Sequence, residues 1–156
     1  MEADRTSENN LMCGGVHFQY GEDFFRMYFP NPKAVLPVMK RSGSIALIGW
    51  GRRLNQSGRL PLGGWARLDS IYGGVWDRFF PVPVKIPVLS FMEKDIEGKS
   101  HWYDLNKGQF IQGLLARDNN EQRVYVVTVE PELEDANIHE RWPRVVQFGE
   151  RIHLIR

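Results

Sequence analysis

Short apolar and β-branched runs, each stopped within a few residues by Gly, Pro or a polar turn, constrain this chain more than any other feature. "GVHFQY" (15–20) alternates loosely and reads as a first strand. "AVLPVM" (34–39) and "SIALIGW" (44–50) flank the turn "KRSGS" and read as paired strands. "SHWYDL", "QFIQGLLA" and "RVYVVTVE" are three more strand candidates, and "RVVQF" and "RIHLI" close the chain as short ones. "PVPVKIPVLSFME" (81–93) carries three prolines, which predicts an edge strand or an extended segment, because proline has no N–H for a ladder. Helices are few. "EDFFRMYF" (22–29) reads as a short helix stopped by the prolines of "PNPKAVLP", and "DSIYGGVWDRF" (69–79) as one or two helical turns. "PELEDANIHE" (131–140) begins as a helix should, with proline in the first turn and acids behind it. The order is not a regular β-α alternation. It predicts a single α+β domain whose core is a mixed or mostly antiparallel sheet, or a barrel-like one.

Length and composition narrow the function classes. At 156 residues the chain suits one domain over 13–156, preceded by a polar leader over 1–12 that is disordered or removed. No apolar run approaches the roughly eighteen residues of a membrane span, and the leader has no apolar stretch of a secretory signal. One cysteine excludes an internal disulfide framework and a cysteine-rich zinc site, and no other metal-ligand spacing is present. The expectations are no metal, no cofactor, no membrane, a monomer, and a reducing cytoplasmic setting.

The net charge of +1 is uninformative, but its distribution is not. No Asp or Glu occurs from Phe24 to Leu68, a stretch that holds Arg26, Lys33, Lys40, Arg41, Arg52, Arg53, Arg59 and Arg67. A one-signed block of this kind is the footprint of a polyanion-binding face, unless the fold mixes it with acids from elsewhere. Much of it falls in "GRRLNQSGRLPLGG" (51–64), a long basic loop.

The single cysteine, Cys13, follows an internal methionine, Met12, and precedes two glycines. A cysteine inside a chain is usually a small buried hydrophobe. A cysteine at an N-terminus is a different reagent. Its α-amine, with an ordinary pKa of about 7.7–8.0, is partly neutral near pH 7 and attacks an aldehyde to give an imine. The thiol then closes onto the imine carbon as a five-membered thiazolidine. Initiation at Met12 followed by methionine removal would expose Cys13, and so would cleavage after Met12 with Cys13 as nucleophile. Candidate acid–base groups are Glu93, His139, His17, His101 and His153. Glu93 ends the apolar run "LSFME", where burial would raise its pKa toward a range useful for proton transfer. His139 lies in "ANIHERWP", at the end of the expected helix.

These residues, in this order, resemble the SOS response-associated peptidase (SRAP) family, whose members shield abasic sites in single-stranded DNA by covalent attachment. The match is carried by Met12-Cys13-Gly14, Gly49-Trp50-Gly51, "WARLDS", "IPVLSFMEK" and "ANIHERWP", and runs from about Met12 to Val146. The resemblance implies an SRAP-like α+β fold and an enzyme: an abasic-site crosslinker with lyase-like and autocatalytic cysteine-peptidase chemistry. It implies Cys13 as the crosslinking nucleophile, Glu93 as the carboxylate that moves protons beside it, and His139 as general acid–base. It further implies Arg67 on a DNA phosphate, and a single-strand groove along the basic stretch with Trp50 and Trp65 as stacking surfaces and Arg52 and Arg53 as phosphate contacts. The sequence departs from the family pattern at Trp65, where the family has asparagine, at Gly15, where it has arginine, at Lys94, where it has an aromatic residue, and at Val129, where it has threonine. These departures keep open a second expectation, an SRAP-fold module that binds nucleic acid or protein without bond chemistry. A third is a thiol hydrolase using Cys13, His139 and Glu93.

Overall fold

The computed structural model describes residues 14–130, 141–147 and 149. Cys13 and His139 therefore lie outside the described residues, as do the expected helix over 131–140 and the expected strand over 151–155. What is described is a β-rich α+β fold built on two sheets.

The first sheet has the order β2-β1-β7-β8, all antiparallel: β1 is Gly15–Tyr20, β2 Asp23–Tyr28, β7 Ser90–Lys94 and β8 Ser100–Asp104. The expected helix over 22–29 is instead strand β2. Tyr20 pairs with Asp23 across a two-residue turn in which Gly21 takes a positive φ of 65°, as tight hairpins require. Phe25 and Met27 pack on the core while Phe24, Arg26 and Tyr28 are exposed, a period of two rather than 3.6.

The second sheet follows the path β11-β10-β9-β6-β3-β4. Its strands are β3 (Val35–Met39), β4 (Ile45–Gly49), β6 (Val82–Ile86), β9 (Gln109–Asp118), β10 (Glu121–Val129) and β11 (Trp142–Pro143). Two short strands join off this path: β5 (Trp65–Arg67) runs parallel to β10, and β12 (Val145–Gln147) antiparallel to β9. The proline-rich segment departs from expectation here. Its first half, β6, is interior, laddered along β9 over its whole length, but it meets β3 only at Met39↔Lys85. The path turns back on itself, because Trp50, just past β4, bridges Val124 of β10. The result is an open sheet without a complete ladder between β3 and β6.

Strands β9 and β10 are buried on both faces, which is why they read as near-continuous apolar runs. One face joins a core shared with the first sheet, including Val16, Phe18, Leu36, Ile86, Ile111 and Val126. The other packs Leu114, Tyr125 and Val127 under Leu60, Ile71 and Trp76, from the basic loop, the short helix α1 (Leu68–Tyr72) and the segment behind it. Beyond Gly113↔Val126 the two strands part, and residues 142–147 fill the gap. Arg144 joins both sides: its N–H donates to Val127 O (2.8 Å), its carbonyl accepts from Gln112 N (2.8 Å), and its Nη1 donates to Gln112 Oε1 (2.7 Å). That last bond satisfies the amide oxygen of a buried glutamine.

Candidate active site

The site begins at Gly14. Its N–H donates to Met92 O at 3.0 Å, although it is Gly15 that is aligned with Met92 in the β1–β7 register. Two residues thus oppose one, the arrangement of a β-bulge, a device that re-aims the chain at a strand end. Gly14 O in turn accepts from Phe29 N at 3.1 Å, so residue 14 is held from both sides. A side chain at position 15 would meet the Tyr28 ring at 3.0 Å, so the ring covers the place where the resemblance calls for arginine.

Glu93 follows Met92 and is 0% exposed. It shares a face of β7 with Phe91, whose ring packs against Tyr103 (5.6 Å) and Trp142 (5.4 Å). Its cross-strand partner is His101, which is bonded to Asp95 Oδ2 (2.8 Å). This bond is the largest cause holding the Asp95 carboxyl below its ordinary pKa. The enclosure on which the proton-transfer expectation for Glu93 depends is therefore present.

Gly14, Tyr28, Phe29, Trp65, Met92 and Lys94 line a pocket of ≈ 80 Å³. A water occupies about 30 Å³ of liquid and a drug-sized ligand site about 300 Å³ or more, so this pocket admits a small group rather than a nucleotide. Trp65 fills one side, with its ring 4.8 Å from Phe29 and 6.2 Å from Trp50, and its buried Nε1 has no hydrogen-bond acceptor among the described residues.

Arg67 leaves the same short strand β5 and is exposed. Its Nε and Nη2 donate to Asp69 Oδ1 (3.1 Å) and Oδ2 (2.9 Å). Asp69 is held below the usual carboxylate range by that bond first. Across β10, Arg141 donates to Thr128 O (2.8 Å) and Thr128 Oγ1 (3.4 Å). Burial, then the nearby Arg67 charge, pushes the Arg141 guanidinium below its ordinary pKa. Arg141 is a cation that sequence reasoning passed over, although it stands two residues after His139. Glu130 and Arg141 flank the stretch that holds His139.

One expected DNA contact is corrected, and two others have partners within the fold. Trp50 is 0% exposed and donates its Nε1–H to Gly64 O (3.0 Å), so it presents no face to a base. Arg52 donates from Nε to Leu60 O (2.6 Å) and from Nη1 to Gln56 O (2.6 Å). Arg53 donates to Phe29 O and Trp50 O (both 2.6 Å) and lies over the Phe29 ring at 4.0 Å. Burial is the main cause lowering the Arg53 pKa to about 10, so it remains a cation at neutral pH. The 51–64 loop has little ladder of its own; Arg52 supplies donors to the loop's own carbonyls, and Arg53 ties the loop to carbonyls of Phe29 and Trp50 outside it. Arg26 is also engaged, 5.1 Å over the Trp102 ring. Lys33, Lys40, Arg41 and Arg59 remain exposed.

Among the described residues no group of three or more His, Cys, Asp or Glu is placed to hold a metal ion, and no helix is long and apolar enough to cross a membrane. No protein-family model matches the chain, and no curated protein gives a significant match.

Proposed function

We propose that this chain is an abasic-site processing protein, which captures the ring-opened sugar of an abasic site in single-stranded DNA through Cys13 once that residue is the N-terminus. The reading rests on the Gly14 N–H to Met92 O bond of 3.0 Å. It sets the neighbour of the only thiol against the neighbour of a fully enclosed carboxylate, with Trp65 and Lys94 around the same small pocket. Gly14, Trp65, Met92 and Lys94 thus line one pocket, with the Glu93 side chain on the opposite face of β7 from Met92 and Lys94.

The chemistry balances without a cofactor. The neutral Cys13 amine adds to the sugar aldehyde, and loss of one water gives an imine. The thiol adds to the imine carbon, and its proton passes to the nitrogen, closing the thiazolidine. Glu93 carries the protons in this scheme and His139 serves as the second acid–base group. If the leader is removed by cleavage, the Met12–Cys13 amide breaks, and water supplies the hydroxyl of the new carboxylate and the hydrogen of the new amine. Arg67 and Arg141 supply the positive end of the strand path, and the protein acts as a cytoplasmic monomer.

One observation favours a second reading, a non-catalytic nucleic-acid or protein-binding module. Trp65 stands where the resemblance calls for asparagine, and its ring occupies the pocket wall. The intact mass of the purified full-length chain, before and after incubation with single-stranded DNA holding one abasic site, separates the two. The first reading expects a chain beginning at Cys13 and a stable adduct that Cys13→Ala abolishes without loss of non-covalent binding. A retained leader with no adduct sinks it in favour of the second, and an adduct that survives Cys13→Ala rules out the thiazolidine.

A further inference from the structure

A large cavity lies away from Gly14 and Glu93, in the gap between β3 and β6. The sequence builds the opening. Each of the two strands carries a proline, Pro37 and Pro83, that cannot donate to a ladder, and their pairing is confined to Met39↔Lys85. Where the ladder is missing the sheet stands open, leaving a cavity of ≈ 680 Å³. That is the size of a small-molecule site.

The lining states what kind of molecule fits. Its walls are aliphatic, with Val38, Ile48, Val84 and Leu115 among them, and no aromatic ring lines it. A nucleobase would find no stacking platform there. The charged groups are all positive: Lys40, Arg41 and Lys85, with no Asp or Glu in the lining. Lys40 and Arg41 are exposed on the β3–β4 turn, which is fixed by Lys40 N–H to Ser44 O (2.9 Å) and Gly43 N–H to Lys40 O (2.9 Å). Lys85 reaches over the Phe110 ring at 5.6 Å. An apolar aliphatic wall under a rim of one sign is complementary to a molecule with an aliphatic body and an anionic head.

We infer that this gap is a binding site for a free single-chain aliphatic carboxylate, with the chain against Ile48, Val82 and Leu115 and the carboxylate at Lys40 and Arg41. The site does not depend on the chemistry proposed for Cys13.

Calorimetric titration of the full chain with decanoate, kept below its micelle concentration, tests this. The expected result is saturable binding that Lys40→Glu/Arg41→Glu weakens by about tenfold or more, with decanol weaker than decanoate by a similar factor. Both substituted residues are exposed, so the variant keeps its core. Val82→Glu, at a position 49% exposed in the lining, gives an independent variant that should weaken decanoate too. Absence of saturable binding, equal affinity for the charge-reversed chain, or equal affinity for decanol would overturn the inference. So would displacement of decanoate by an oligothymidylate, which would assign the rim to nucleic acid.

Discussion

The arginines of the acid-free stretch do opposite things. Arg52 and Arg53 turn inward and hold carbonyls of residues 29, 50, 56 and 60. Arg67 stands at the end of β10, exposed on Asp69. The difference is set by the backbone around each residue. Where a strand supplies its own ladder, as at β5, the Arg67 guanidinium is left for a side-chain partner, Asp69. Where a fourteen-residue loop runs with little ladder, Arg52 becomes a donor to the loop's own carbonyls and Arg53 ties the loop to Phe29 and Trp50 outside it. Clustered positive charge in a sequence therefore marks a polyanion face only after the needs of nearby carbonyls are met.

Arg53 offers the strongest way to break this comparison. Arg53→Ala removes donors from two carbonyls and a stack on Phe29, and should cost about 3 kcal/mol in urea unfolding, since hydrogen bonds to charged groups contribute roughly 1.5–3 kcal/mol each. Arg53→Lys should recover only part of this, because an ammonium does not reproduce the planar fork. A wild-type denaturation midpoint in Arg53→Ala would return Arg53 to the candidate DNA contacts.

Arg67 is the counterpart, with a smaller expected effect and on a different observable. Arg67→Ala should leave the urea midpoint unchanged, because the residue is exposed and exposed ion pairs add little. It should lower the salt slope of single-strand binding by about 0.7, one phosphate's worth. An unchanged slope removes Arg67 from the strand path.

The contrast also shows how far the sequence can be read. Strands β1, β3, β4 and β8–β10 are legible because turn residues bracket short runs of consistent pattern. Strand β2 is not, since Phe24, Phe25 and Phe29 mimic helical spacing, and only the hairpin at Gly21 selects Phe25 and Met27 as the inward pair. The interior place of β6 is hidden by its prolines, which do not prevent a ladder with β9 but limit the one with β3. At the site, the enclosure of Glu93 follows from its position at the end of an apolar run. The loss of Trp50, Arg52 and Arg53 to the scaffold is not visible in the sequence, because it depends on carbonyls of Phe29, Gly64 and Leu60 that only the tertiary fold brings near.

The smallest and sharpest effect is at Asp69. If Arg67 takes a phosphate, it must give up the two bonds that hold it to Asp69. The Asp69 carboxyl has a lowered pKa in the folded chain, so this pair's contribution is present above the unfolded carboxylate value of about 3.9 and is lost as pH falls through the lower folded value. At neutral pH the pair is therefore intact and competes with phosphate. Asp69→Asn imitates the protonated state and should tighten single-strand binding by less than about fivefold, the scale of an exposed ion pair. The gain should vanish at high salt, where screening has already weakened the competitor. A variant that binds no better at low salt, in a chain where Arg67→Ala does reduce the slope, would mean that Arg67 reaches DNA without leaving Asp69. The pair would then act as a fixed unit, and the exposed end of β10, like the basic loop, would keep its guanidinium bonded within the fold.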